Sequence, residues 1–356
     1  MGLPVINLEF KRLAQTANNR SERGILAIIV QDATNTDFTT KTYTSASEVA
    51  SADYTSENYA AIVRAFLAGP QKVIVIRMGT TDTASGIGAA IENVSFNWIC
   101  AVPADFQTGL STAVKALNST NARARRPKAL VYGVSNPNDI HVVNVANETV
   151  TLAGADATTA MNLYLPRIGG MLAACPLTES VTYKVLDDLD DIAEIANIDT
   201  EIDGGKLCLF KDDDEIRIAR GVTSLKTVAG DLTEDMKKIT VVEGMDIMQE
   251  DIIRTFKANY LGRVKNTADN QALLISEILA YFKELEKETI ISMDEDDTVE
   301  INIDAMREAW TQAGEDVSEL SDSQMKKKTF RAKVFVKASC TVLDAMEDLQ
   351  MVVTLG

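Results

Sequence analysis

The chain holds one histidine, His141, and four cysteines, Cys100, Cys175, Cys208 and Cys340, and these bound much of the chemistry open to it. A single imidazole cannot build a multi-histidine zinc site, and His141 lies in an alternating apolar segment, which favours a structural histidine over a general base. The cysteines form no CxxC pair. Cys100 and Cys208 stand in the apolar runs Trp98-Ile99-Cys100-Ala101-Val102 and Leu207-Cys208-Leu209-Phe210, so the set reads as reduced core thiols. Neither a GxSxG elbow nor a GxxxxGK[ST] phosphate loop occurs. One glycine-bearing loop, Gly79-Thr80-Thr81-Asp82-Thr83-Ala84-Ser85-Gly86-Ile87-Gly88, follows an apolar run and leads into a helical pattern, the setting in which amides cradle a phosphate. It does not match GxGxxG, and an ordinary strand-to-helix loop is favoured. The acidic runs Asp294-Glu295-Asp296-Asp297 and Asp212-Asp213-Asp214-Glu215 lack the alternating ligand spacing and central glycine of a calcium loop. They read as a solvated loop and a hairpin turn. No catalytic, cofactor-binding or metal-binding residue is expected, and the chain is not read as an enzyme.

Charge is more informative. The formal net charge is −17, which argues against a nucleic-acid partner, since such a surface needs a basic footprint. Within that acidic background Lys326, Lys327, Lys328, Arg331, Lys333 and Lys337 follow one another with no Asp or Glu between them. Alternation over 330–338 predicts a strand with Phe330, Ala332, Val334, Val336 and Ala338 on one face and Arg331, Lys333, Phe335 and Lys337 on the other. Two readings of Arg331, Lys333 and Lys337 stay open: a solvated face, or a basic stripe that docks on an acidic partner.

The elements that position these residues follow from periodicity. A chain of 356 residues, 46% apolar, is long enough for two or three domains. There is no apolar run of about 18 residues and no signal-peptide pattern, and Ile6 stands where a myristoylation site needs Ser or Thr, so folding in the cytoplasm with no membrane partner is expected. Apolar runs at 25–30, 73–76, 98–102, 129–132 and 141–145 predict strands. Between them 56–67, 86–93 and 109–118 predict helices, which implies an α/β layered domain with a largely parallel sheet. Leu186, Leu189 and Ile192, spaced by three in an Asp-rich stretch, predict a surface helix, and 204–228 predicts a hairpin turning at 212–215. Helices are expected over 246–260 and 269–288, the latter with Leu274, Ile278, Tyr281 and Leu285 on its core face.

Both chain ends are strand-like. Val5, Ile6, Leu8 and Phe10 at one end and Leu349, Met351, Val353 and Leu355 at the other alternate as arms. A lone strand has no ladder partner, so each arm must join a sheet, either its own or a neighbour's by β-augmentation.

Three stretches resemble the phage tail sheath family, in the short form of contractile phages and phage-tail-like bacteriocins of Gram-positive bacteria. They are Gly2-Leu3-Pro4-Val5-Ile6 through Arg20-Ser21-Glu22-Arg23-Gly24-Ile25-Leu26-Ala27; Arg220-Gly221-Val222-Thr223-Ser224-Leu225 with Lys237-Lys238-Ile239-Thr240-Val241-Val242-Glu243-Gly244-Met245-Asp246, Asp251-Ile252, Thr255-Phe256 and the run from Asn259 to Asn266; and Val342-Leu343-Asp344-Ala345-Met346-Glu347 with Met351-Val352-Val353-Thr354. The resemblance implies a structural subunit that stacks as hexameric rings around an inner tube and contracts to drive the tube through an envelope, without cofactor or nucleotide. It also implies as partners further copies of itself, a tail tube protein, and baseplate and tail terminator proteins. Assembly in the host bacterial cytoplasm, within a virion or phage-tail-like particle, follows from it. The expected architecture is α/β and α+β: an N-terminal linking arm (1–22), an outer layered α/β domain with a mixed sheet (23–203), a tube-facing α+β domain (204–340) and a C-terminal linking arm (341–356). On that view Arg331, Lys333 and Lys337 face the tube, and 15–22 and 339–347 are hinges. The alternatives are a Rossmann-like nucleotide-binding enzyme and a non-contractile self-assembling protein.

Overall fold

Strand β1 (Ile25–Gln31) shows why a sheet sits at the centre of the N-terminal half. Leu26, Ile28 and Val30 enter one apolar cluster and Ile25, Ala27 and Ile29 another, so the strand is buried on both faces. Burial of this kind belongs to a parallel sheet covered by helices on both sides. The computed structural model describes residues 22–119, 124–293 and 297–354. Val5, Ile6, Leu8, Phe10, Leu355 and Asp294-Glu295-Asp296 lie outside the described residues.

β1 pairs in parallel with β3 (Lys72–Met78) and β4 (Trp98–Ala101). The parallel ladder continues through β5 (Lys128–Tyr132) and β6 (Val142–Val145), and β2 (Thr40–Tyr43) closes the far edge antiparallel to β3. The mixed sheet is therefore as expected. Helices α1 (Ser56–Ala65) and α4 (Met161–Ala174) cover one face, while α2 (Ile87–Ile91) and α3 (Gln107–Asn118) cover the other. At Gly170 of α4 a Cβ would stand 2.1 Å from the Ala65 carbonyl oxygen, so only glycine lets α4 approach α1 this closely.

Two predicted elements differ. Leu186, Leu189 and Ile192 are buried, but not on a helix: β9 (Leu189–Ile192) runs antiparallel to β7 (Thr149–Leu152), which also pairs with β8 (Thr158–Ala160). The register shifts between Thr151 and Leu152, so one extra residue bulges out and side chains three apart face the same way. The predicted strand 206–210 also divides. β10 (Lys206–Leu207) extends the central sheet beside β6, and β11 (Leu209–Asp212) turns back through Asp213 (φ 52°) to β12 (Glu215–Ile218).

The chain divides into two compact units. One holds Glu22–Asp246 and takes up Asp344 onward; the other holds Ile247–Leu343. The first unit thus reaches past the boundary expected near residue 203, because β10 joins its sheet and Leu209, Ile216, Ile218 and Ile239 join its core. α5 (Ile198–Asp203) and α6 (Ile239–Thr255) come next in order, and α6 belongs to the second unit from Ile247 on. There α7 (Ala268–Lys287) buries Leu274, Ile278, Tyr281 and Leu285, as the spacing predicts. Met306 of α8 (Ile303–Gln312), Met325 of α9 (Asp322–Lys327), Val317 and Ile301 form a small core, and β13 (Thr298–Ile301) pairs antiparallel with β14 (Val336–Ser339). Among the described residues no helix is long and apolar enough to cross a membrane.

Candidate functional site: the C-terminal segment and its anchor

The anchor begins with two short stretches of the first unit. Val222 and Lys238 form an antiparallel bridge, the Ile239 amide donates to the Gly221 carbonyl (3.0 Å), and the Thr223 amide donates to the Lys237 carbonyl (2.7 Å). This pairing sets Arg220 and Lys238 beside each other. The Gly221 amide donates to Thr182 Oγ1 at 2.9 Å, and a Cβ on Gly221 would lie 2.9 Å from Val181 Cγ2 and 3.4 Å from Ser180 Oγ. A side chain there would push the 180–182 segment away.

Against this surface lies Glu347, its side chain only 5% exposed. Its carboxylate accepts from Lys238 and Thr182, lies 3.1 Å from Ser180 Oγ, and has Arg220 Nε at 3.7 Å. Arg220 bonds Asp348 at 2.6 Å, and Lys238 lies 3.7 Å from Asp344. Burial works to raise the Glu347 pKa, but the bonds from Lys238 and Thr182 outweigh it and hold the carboxyl below its ordinary range. The bond from Arg220 depresses Asp348 in the same sense.

Beyond the anchor the chain changes character. Leu349 is 86% exposed, Met351 74%, Val352 93% and Val353 66%, and among the described residues 349–354 enters no ladder. Apolar side chains at successive positions of an extended segment remain in water, which an isolated chain gains nothing from.

The basic residues do not share a strand. β14 starts only at Val336, and Arg331 (φ 43°) sits in a turn closed by a Phe330–Lys333 bridge. Asn266 and Trp310 hold that turn: Asn266 Nδ2 donates to the carbonyls of Arg331 (2.9 Å) and Lys333 (3.0 Å), and the Phe330 ring packs edge-on to Trp310 at 4.8 Å. Arg331 and Lys333 are exposed on it, whereas Lys337 lies on β14 and pairs with Glu300 at 3.0 Å. Beside Arg331 a groove of 360 Å³ is lined by Phe256, Tyr260, Leu274, Val334 and Lys265, a feature that the alternation does not reveal.

Residues 231–356 match the family model for the phage tail sheath C-terminal domain. Over 368 aligned residues, 98% of each chain, the protein is 30% identical to a tail sheath protein of Clostridium phage phiCD119. The chain belongs to the phage tail sheath family. Solved structures share its fold: a sheath tail protein from Listeria innocua (TM-score 0.67, 14% identity, 93% of this chain and 98% of that one) and the helical sheath of the anti-feeding prophage in its contracted state (TM-score 0.70, 12% identity, 99% of each).

Several polar groups singled out by the sequence are bonded to the protein's own side chains. The Gly79 amide donates to the Asp82 carboxylate (2.7 Å), so the loop's first amide is engaged within the loop. At the strand ends near the switch in sheet order, Asp32 accepts from Thr34, Thr55 and Asn58. These bonds outweigh its desolvation and take its pKa to about 2. Gln107 Nε2 donates to the Ala101 and Pro103 carbonyls at the end of β4. His141 Nε2 lies 3.1 Å from Asp246, which also pairs with buried Lys128 at 2.5 Å; Lys128 lies 3.2 Å from Glu243, and Glu243 pairs with Arg23 at 2.5 Å. His141 thus ends a chain of contacts that runs through Asp246, Lys128 and Glu243 to Arg23. All four cysteines are free, and burial pushes the Cys208 thiol up to about 12.

Proposed function

We propose that the chain is the structural sheath subunit of a contractile tail. It polymerises as stacked hexameric rings around an inner tube, in an extended state, and contracts by rigid-body movement of whole subunits that drives the tube through a cell envelope. The observation that carries this is the exposed apolar segment 349–354, rooted at Glu347, in a chain that belongs to the sheath family. A segment of this kind is stable only when a sheet receives it. Donated to a neighbour, it makes a contact that does not close on itself, and such contacts build rings and helices.

On this proposal residues 1–22 and 341–356 are linking arms, with Val5, Ile6, Leu8, Phe10, Leu349, Met351, Val353 and Leu355 as their apolar contacts. Residues 23–203 face outward and 204–340 face the tube. Exposed Arg331 and Lys333, with Lys337 on β14, touch the tube in the extended state. The other partners are baseplate and tail terminator proteins, the work is mechanical rather than enzymatic, and assembly takes place in the host bacterial cytoplasm into a virion or a phage-tail-like particle. Electron microscopy of the purified chain, alone and co-expressed with a tube protein, tests it. Hollow sixfold-related tubes that enclose the tube protein support it. A monomer that persists under both conditions overturns it, and polymers with one helical state at every stage overturn contraction.

A further inference from the structure

We infer that Glu347 is the positioning residue of the C-terminal linking segment: its buried carboxylate, gripped by Lys238, Thr182 and Ser180, fixes the root of the strand so that free chain begins at Leu349. The inference rests on the proposal that this segment links subunits.

Four separately placed stretches of sequence meet at this carboxylate: Ser180 and Thr182 come from one, Arg220 and Gly221 from the second, Lys238 from the third and Asp344, Glu347 and Asp348 from the fourth. The glycine at 221 leaves room for the 180–182 segment, from which Ser180 and Thr182 reach Glu347. Tyr183, next to Thr182, adopts a left-handed backbone (φ 66°) that is costly for a bulky residue, and its ring packs on Phe210 at 5.6 Å. The chain leading to the anchor is held as well: the Ser292 amide donates to the Thr341 carbonyl (2.8 Å), Val342 bridges Ile291, and the Leu343 amide donates to the Ile290 carbonyl (3.0 Å). Residues 339–347, which the sequence suggests as a hinge, are therefore bonded along most of their length. Beyond Asp348, residues 349–354 are exposed and enter no ladder among the described residues.

The consequence is geometric. Without the anchor, the tether from Leu343 to Val353 would be about twice as long as that from Asp348, and effective concentration falls roughly as the −3/2 power of tether length. The anchor thus raises the local concentration of the strand at its receiving site about threefold, and it also fixes the direction from which the strand arrives.

The test compares wild type, Glu347→Ala, Glu347→Gln and a chain lacking 349–356, by hydrogen exchange of the monomer and by the concentration at which polymer first appears. Expected are loss of exchange protection over 344–348 in Glu347→Ala, a polymerisation concentration raised at least about threefold, and an intermediate result for Glu347→Gln, which keeps the side-chain volume should the alanine variant misfold. Unchanged protection, or polymerisation at the wild-type concentration despite lost protection, overturns the inference. The truncation reports separately: if it polymerises normally, the linking proposal fails whatever Glu347 does, and if it stays monomeric while Glu347→Ala assembles as wild type, only the positioning role fails.

Discussion

Replacing Leu349, Met351 and Val353 together by serine separates the fold of the subunit from its assembly. In the isolated chain these residues are 86%, 74% and 66% exposed, so the substitutions remove almost no contact, and surface changes of this kind stay within about 0.5 kcal/mol. The thermal midpoint should not move. If the same side chains are buried against a neighbour, each contributes about 1.5–3 kcal/mol, and their loss weakens each joint by about 4–9 kcal/mol. At about 1.4 kcal/mol per factor of ten, the joint's equilibrium constant falls by roughly a thousandfold or more. Sedimentation over a concentration series, read beside negative-stain images, measures this directly. A triple variant that polymerises within about tenfold of the wild-type concentration refutes the reasoning, because burial of three apolar side chains cannot be that weak.

Lys128→Ala leaves Glu243 and Asp246 facing each other with side chains only 12% exposed, and stripping one partner from such a cluster costs about 3–5 kcal/mol. For a unit of this size the midpoint should fall by about 6–20 °C in a thermal scan, and the deficit should shrink at lower pH as a carboxylate takes up a proton. Glu347 has a folded-state pKa below its unfolded value of about 4.3, so the anchor's contribution is complete above that pH and is lost as pH falls through the lower folded value. Hydrogen exchange over 344–348 should therefore speed up on acidification beyond its intrinsic pH dependence. Glu substitution of Arg331, Lys333 and Lys337 should leave the midpoint nearly unchanged, since the first two are exposed in a turn and the third makes one exposed pair, while co-assembly with a tube protein falls; undiminished co-assembly removes them from the tube contact.

Local periodicity carried much of the fold. The unbroken run Ile25–Val30 reads as a strand, and Leu274, Ile278, Tyr281 and Leu285 read as one buried helix stripe; both are so. Spacing of three at Leu186, Leu189 and Ile192 misleads because a bulge in a strand reproduces a helical interval. Alternation over 330–335 misleads for a different reason: the turn is held by Asn266 and by Trp310, distant partners that no local pattern encodes. Arg331, Lys333 and Lys337 therefore do not line one strand face. The anchor was legible only in pieces, since Arg220-Gly221, Lys237-Lys238 and Asp344 to Glu347 each stand out in the sequence, while their convergence on one carboxylate depends on the tertiary fold.

The most direct measurement is a helical reconstruction of the assembled polymer that traces residues 349–354. The account requires them to leave the anchor at Glu347 and run as a strand against the sheet of a neighbouring subunit. Density that folds them back on their own subunit, or polymers of unchanged order formed by a chain that lacks them, would contradict it.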